Sequence, residues 1–285
     1  MIESTPQFWI FVSILLAVSL LLCSIGFKKF VLFLSIGYGL SVFGIGIALM
    51  VFTAGKFSFV NIYSSSIVNY ILAAVLILYG RRLAGFLTYR EISSLSYRKT
   101  LEKVSGKEEK KRPFFVKATI WLSVGILYIR QTYPVIYRVG GSFAAEGSGR
   151  ITPIVGACIA LLGLIIETRA DLEKNKAKKK NPHTFVSSGL YSLVRCPNYL
   201  GEIIRWTGIF ISGCDIFRGD YVSWIISILG YLLIVYVRIS GAKRLELRQD
   251  KSYGNDPKYQ EYKKKTPILR HLIPVKSLAS WNWVK

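Results

Sequence analysis

Two neighbouring stretches carry the side chains best suited to chemistry. The first runs His183-Thr184-Phe185-Val186-Ser187-Ser188-Gly189-Leu190-Tyr191. The second runs Arg195-Cys196-Pro197-Asn198-Tyr199-Leu200-Gly201-Glu202-Ile203-Ile204-Arg205-Trp206. Together they set His, Arg, Asn, Glu and Tyr against an apolar run, and ionisable groups entering a bilayer are costly enough to mark functional positions. Gly189 and Pro197 break the backbone on either side, as expected where a chain lines a cavity instead of crossing lipid. Asn198, Glu202 and Arg205 fall at i, i+4 and i+7, on one face of one helix. A polar face on a membrane helix must meet water, a ligand or another polar face, so it serves either helix–helix hydrogen bonding or a bound molecule.

Three further groups extend this set. Glu167 and Asp171 sit at i, i+4 ahead of a lysine-rich run, and either mark a helix end meeting cytosol or hydrogen-bond the ribose or amide groups of a cofactor. Arg238, Lys243, Arg244, Glu246 and Arg248 follow the last apolar run. They anchor a helix end on the positive-inside principle or clamp a pyrophosphate, whose oxygens Arg grips bidentately. Tyr79 and Arg82 lie one turn apart; a buried Tyr hydroxyl finds a hydrogen-bond partner or acts as general acid toward an enolate oxygen.

Composition narrows the classes. Of 285 residues, 52% are hydrophobic and the net charge is +22. Several apolar runs reach the roughly 20 residues that span a bilayer. The basic residues flank these runs instead of forming one soluble basic face, which argues against nucleic-acid binding. The four cysteines are scattered with no CxxC pair, and only two histidines occur, so neither a disulfide framework nor a metal centre is indicated. No GxGxxG follows a strand, and there is no P-loop or GxSxG, which removes the Rossmann, phosphate-loop and serine-hydrolase classes.

The elements that must position these residues follow from hydropathy. Seven spans are expected, at about Phe8 to Ile25, Phe30 to Phe52, Ile67 to Leu87, Phe115 to Tyr137, Ile151 to Ile166, Tyr199 to Phe217 and Tyr221 to Ser240. The expected fold is therefore all-α, a polytopic membrane helix bundle of about seven transmembrane helices forming one integral membrane domain over residues 1–285. The first run lacks a basic flank and a small-residue cleavage site, so it reads as a retained span. Gly37, Gly39, Gly44 and Gly46 suit close helix packing, and Tyr133-Pro134 is expected to bend or end span four. Lys28-Lys29, the connection Arg90 to Lys117, the run Lys174 to Lys180 and the tail are basic, whereas the opposite side holds only Lys56, Arg138, Arg150 and Arg218. The asymmetry predicts an N-terminus outside or lumenal and a cytoplasmic C-terminus, in an endoplasmic reticulum or bacterial inner membrane. The segment Gly140 to Gly149 reads as an external loop, and Trp281 and Trp283 as an interfacial anchor.

The run Cys196-Pro197-Asn198-Tyr199-Leu200-Gly201-Glu202-Ile203, with Trp206 beyond it, resembles the C-terminal half of the steroid 5-alpha-reductase family, whose plant-type members carry a similar Cys-Pro-Asn-Tyr-Phe-Gly-Glu run. A prokaryotic-type sister group is similar through Leu245-Glu246, Tyr253-Gly254, Asp256-Pro257, Glu261-Tyr262-Lys263 and Thr266-Pro267. The resemblance covers about Glu167 to Pro274, which it marks as a cofactor-binding region. It implies a seven-span fold that binds NADPH on the cytosolic side and reduces a conjugated enone. Asp171, Asn198 and Glu202 match its cofactor positions; Glu167 and His183 align with two more but differ in residue type. Tyr191, Arg195, Tyr199, Arg238, Arg244 and Glu246 complete the expected cofactor set. Tyr79 and Arg82 align with its catalytic Tyr and Arg. The steroid enzymes pair that Tyr with a Glu in span two, yet here no acid lies between Glu3 and Glu91. Arg205 also stands where that family has a Glu.

The first stretch, His183 to Tyr191, is similar instead to the isoprenylcysteine carboxyl methyltransferases, which use S-adenosylmethionine and follow it with Arg-His-Pro where this chain has Arg195-Cys196-Pro197. The sequence thus implies an NADPH-dependent oxidoreductase of lipid metabolism, acting on a steroid-, sterol- or polyprenoid-like molecule drawn from the bilayer. A methyltransferase is the second reading and a non-catalytic sterol-binding membrane protein the third.

Overall fold

The structure is a computed structural model describing residues 6–55, 67–93, 98, 101, 113–141, 151–217, 219–270 and 274–281. Among the described residues the helices are α1 (Pro6–Cys23), α2 (Ile36–Ala54), α3 (Ile67–Ser93), α4 (Phe114–Gly140), α5 (Ile151–Lys180), α6 (Pro197–Ile211), α7 (Tyr221–Tyr253) and α8 (Pro257–Lys265), with short 3-10 turns at Ser24–Phe27, Phe30–Leu34 and Gly189–Ser192. Among the described residues, strand pairing is confined to Leu269–Arg270 against Pro274–Val275, antiparallel. The fold class is all-α, as the hydropathy requires.

Among the described residues, five segments, Pro6–Phe27, Phe30–Ala54, Ile67–Ser93, Ile151–Lys180 and Tyr221–Tyr253, are long and apolar enough to cross a membrane. The chain is a polytopic membrane protein. Helices also form at the two other expected spans, but neither meets that measure. α6 has 15 residues, a rise of about 22 Å against a hydrocarbon core of about 30 Å. α4 is long enough but carries Lys117, Arg130, Gln131 and several tyrosines.

Pro134 does not end α4, which continues to Gly140. A proline withholds the hydrogen bond that the carbonyl four residues back would receive, here that of Arg130. The backbone of α7 packs against that carbonyl: a Cβ at Gly230 would lie 2.5 Å from the Arg130 oxygen, so only glycine fits. The polar tail expected after span seven is continuous with it, since α7 runs 33 residues to Tyr253. Most of the basic connection Arg90 to Lys117, nearly all of Gly140 to Gly149, and Lys56, Arg150, Arg218, His271 and Trp283 lie outside the described residues.

The chain divides into two compact units: unit 1, Met1–Ala157 with Ile209–Gly230, and unit 2, Cys158–Gly208 with Tyr231–Lys285. The cofactor region expected from the sequence, Glu167 to Pro274, falls in unit 2 except for 209–230.

Unit 1 is organised by the α2–α3 crossing. A Cβ at Gly80 would sit 2.5 Å from the Gly39 carbonyl oxygen, and one at Gly39 would sit 2.7 Å from the Ala84 nitrogen. The glycines therefore let two backbones touch, as their spacing suggested. Beside the crossing, Tyr38 of α2 packs on Tyr79 of α3 at 5.9 Å and on Tyr128 of α4 at 5.0 Å between ring centroids. The Tyr128 hydroxyl donates to the Phe33 carbonyl at 2.5 Å. Further along α4, Arg138 is 4% exposed; it donates to the Ser212 carbonyl at 2.8 Å and pairs with Asp215. The Tyr133 hydroxyl meets Ser223 Oγ at 3.0 Å, and Asp220 caps the start of α7 by accepting from Ser223 N at 3.0 Å.

Candidate functional site

The residues that the sequence singled out meet mainly in unit 2, where two separate charge clusters form. The first is built by α5, α6 and the cytosol-directed half of α7 in the sequence reading. α5 and α6 cross on a pair of glycines: a Cβ at Gly163 would lie 2.5 Å from the Gly201 oxygen, and one at Gly201 would lie 2.6 Å from the Glu167 nitrogen. That approach brings Glu167, 3% exposed, to Arg205, which has no exposed surface. Arg205 Nε stands 3.8 Å from Glu167 and its Nη2 3.3 Å from Glu202, one turn earlier on α6. Arg238 of α7 reaches Glu202 at 3.0 Å. The Arg205 guanidinium also lies 4.2 Å over the Trp206 ring, a cation–π contact.

Two carboxylates and two guanidiniums thus balance in charge, all of them buried except the partly exposed Arg238. Burying such groups costs several kcal/mol per ion, and an apolar set of equal volume is often as stable or more so. Beside them Asn198 Oδ1 is buried and accepts no hydrogen bond from any described residue, and on α7 the Ser240 hydroxyl is likewise buried without a hydrogen bond. Asn198, Glu202 and Arg205 do share the face that their spacing predicted.

The second cluster closes the tail onto α6 and α7. Arg195 and Glu246 pair at 2.8 Å with no exposed side-chain surface on either. Arg195 also donates to the Thr266 carbonyl at 3.0 Å and the Lys276 carbonyl at 2.6 Å. Glu246 accepts from Ser277 Oγ at 2.9 Å and Leu278 N at 2.8 Å. Around the pair lies an apolar core of Cys196, Ile203, Ala242, Leu245, Ile268, Leu269 and Leu278. Burial pushes the Cys196 thiol up to about 12, so it is an inert packing group. Arg195 and Glu246, expected at the cofactor, are engaged here in holding the tail.

The remaining expected residues lie around these clusters. Tyr191 is buried, with its hydroxyl on the Ala170 carbonyl at 3.3 Å, while its own carbonyl accepts from Tyr262 at 2.6 Å. Burial raises the pKa of both phenols. Gly189, at φ +63°, turns the chain so that Glu173 accepts from Leu190 N at 2.9 Å. This is a conformation glycine favours. His183 is exposed and is held through its backbone N–H on Asn181. Asp171 is half-buried on α5, Tyr199 packs against Gly241 of α7, and Arg244 faces outward. Tyr79 and Arg82 belong to unit 1; Tyr79 is fully buried and Arg82 half-buried.

Arg205, which the sequence placed on the face of Asn198 and Glu202 but not in the cofactor set, is the hub of the cluster. Its signal was present in the i+3 spacing from Glu202, but its partner Glu167 is 38 positions away and is reached only through the Gly163–Gly201 crossing.

A family described as a protein of unknown function (DUF1295) matches residues 38–266, and the chain belongs to that family. No curated protein and no solved structure matches it.

Proposed function

We propose that the protein is a membrane-embedded, NADPH-dependent reductase of a conjugated carbon–carbon double bond in a lipophilic, sterol- or polyprenoid-like substrate. The observation that carries this reading is the charge-balanced cluster of Glu167, Glu202, Arg205 and Arg238 beside the unsatisfied Asn198 oxygen. Ionisable groups kept at cost within a membrane fold mark a functional site. The resemblance of Cys196 to Ile203 to the steroid 5-alpha-reductases names the cofactor. The residues fit it: Asn198 Oδ1 offers an acceptor to an amide or ribose hydroxyl, and Arg238, 18% exposed along its side chain, offers a donor to phosphate oxygens. In this reading the C-terminus is cytoplasmic and the N-terminus outside, following the Lys and Arg asymmetry, and the substrate enters from lipid.

When bound, NADPH supplies a hydride for the β-carbon of the conjugated system. Asn198, Glu202 and Arg238 bind and orient it, and Glu167 and Arg205 hold Glu202 in place. As the electron pair of the double bond moves toward the carbonyl, Tyr79 holds its phenolic proton at that oxygen and stabilises the negative charge developing there. One proton, taken from water by the α-carbon, completes the reduction to the saturated ketone, and Tyr79 keeps its own.

Tyr79→Phe tests the assignment. It removes one hydroxyl from a fully buried ring, and turnover of an enone should fall by roughly a hundredfold or more, as on losing one oxyanion donor, with NADPH affinity unchanged. Full turnover in the variant would remove Tyr79 from the chemistry.

A further inference from the structure

Among the described residues of unit 1, Ser19 and Ser227 bury an unbonded hydroxyl, and Gln131 buries a whole unbonded amide. Gln131 of α4 is 3% exposed, and neither its amide nitrogen nor its amide oxygen is hydrogen-bonded to any described residue. A buried donor or acceptor left unmet is destabilising, and a membrane interior offers no bulk water to relieve it. Leu or Met would fill the same volume without that cost.

Helix register fixes what lies around it. Asn69 Nδ2 reaches the Arg138 carbonyl at 3.5 Å. Tyr79 stands ten residues further along α3, Tyr128 stands ten residues back along α4, and both rings meet the ring of Tyr38. α3 and α4 therefore run antiparallel and in step. Gln131 falls level with Leu76 and one turn from Tyr128, on the strip of α4 leading to Arg138. Leu76 is fully buried and apolar, so α3 has nothing to offer the amide there. One turn back along α4 is the layer that holds Tyr38, Tyr79 and Tyr128, and Gly230 of α7 lies against the Gln131 backbone nitrogen. No acidic residue lies between Glu3 and Glu91, so α2 and α3 as far as Arg90 hold no carboxylate to repel a ligand oxygen, and the tyrosine layer and Gln131 meet it as neutral donors.

We propose that Gln131 is a specificity-determining residue that receives the oxygen function of the lipophilic substrate. Its Nε2 donates to a carbonyl oxygen, and its Oε1 accepts where that oxygen carries a proton. The proposal rests on the reductase reading for the role of Tyr79 and deepens it by naming a second neutral donor one helical turn away. It also defines the ligand: an apolar molecule with one oxygen at the buried end, distinguished from a hydrocarbon of the same skeleton.

The test uses the full chain in detergent with two ketone probes, cholest-4-en-3-one and the linear polyprenoid pseudoionone, each beside its oxygen-free hydrocarbon. The wild-type protein should bind at least one ketone roughly tenfold or more tighter than its hydrocarbon, the worth of one or two hydrogen bonds. Gln131→Leu should lose that preference and keep the hydrocarbon affinity. Its ligand-free melting temperature should equal or exceed that of the wild type, because no hydrogen bond is lost. Gln131→Met, closer in volume, repeats the test should the leucine variant fail to express. Equal binding of ketone and hydrocarbon, no binding of either ketone, a variant that keeps the preference, or a ligand-free variant that melts lower would each overturn the proposal. NADPH titration of the same preparations reads the reductase assignment separately, since the ketone preference does not depend on the nucleotide.

Discussion

The two Arg–Glu clusters of unit 2 are built from the same residue types and finished differently. At the tail, Arg195 and Glu246 meet at 2.8 Å, and backbone carbonyls, a backbone N–H and a serine hydroxyl take up further capacity on both sides. In the α5–α6–α7 cluster, Arg205 stands 3.3 and 3.8 Å from its two carboxylates, Arg238 is partly exposed, and the Asn198 oxygen beside it is unsatisfied. The tail cluster is an architectural joint: its hydrogen bonds fix where Thr266, Lys276, Ser277 and Leu278 lie. Arg195 Nη1 is unbonded as well, so what sets the looser cluster apart is its longer Arg–Glu separations, its partly exposed Arg238 and the unbonded Asn198 oxygen beside it.

Paired substitutions sharpen that contrast. The largest effect is expected from Glu246→Ala, which strands Arg195 in a dry core. Losing one partner of a buried pair costs about 3–5 kcal/mol, so the variant should unfold or become protease-sensitive in the tail, read by melting temperature and limited proteolysis. Glu246→Gln should still destabilise clearly. Glu202→Gln, at the looser cluster, should lower NADPH affinity at least tenfold while moving the ligand-free melting temperature less than Glu246→Gln does. The reverse ranking would erase the distinction between joint and site. Asn198→Ala should cost NADPH affinity with little change in stability, because the oxygen it removes has no hydrogen-bond partner among the described residues; a large drop in ligand-free stability would show that a partner exists.

A smaller effect comes from pH. Burial raises the phenol pKa values of Tyr191, Tyr259 and Tyr262. The unfolded chain releases these protons near pH 10 and the folded chain holds them, so unit 2 should lose stability as pH rises above about 10. Circular dichroism followed from pH 8 to 12 would read it, and a flat profile would mean these hydroxyls are not held. Smallest of all is Glu261→Gln. The Glu261–Lys265 pair, 2.6 Å apart, is largely exposed, and surface pairs of this kind contribute little. No measurable change in melting temperature is expected.

What the sequence made legible follows from periodicity and local spacing. Asn198, Glu202 and Arg205 share a face because i, i+4 and i+7 share a face in any α-helix. The glycines of α2 announced a close crossing because nothing else explains small residues at that interval in an apolar run. Residues whose roles depend on distant chain segments were not legible. Glu246 looked like part of a helix-end cluster, and only its bonds to Ser277 and Leu278, with those of Arg195 to Thr266 and Lys276, reveal it as a joint. Pro134 read as a break because the sequence does not show Gly230 lying against the carbonyl that the proline leaves unbonded. Gln131 carried no signal, since a lone amide in an apolar helix has meaning only once its neighbours prove unable to bond it. α6 read as a full span because the apolar run continues to Phe217, whereas the helix stops at Ile211.

The central proposal, a dinucleotide held by the looser cluster, is tested most directly by titrating the purified full chain with NADPH and, in parallel, with S-adenosylmethionine while following its melting temperature. A ligand that binds the native state raises apparent stability, by about 2.7 kcal/mol at a hundredfold excess over its Kd. The account predicts a saturable rise with NADPH and none with S-adenosylmethionine. A rise with S-adenosylmethionine alone, as the resemblance of His183 to Tyr191 to the methyltransferases would have it, or with neither ligand, would contradict it.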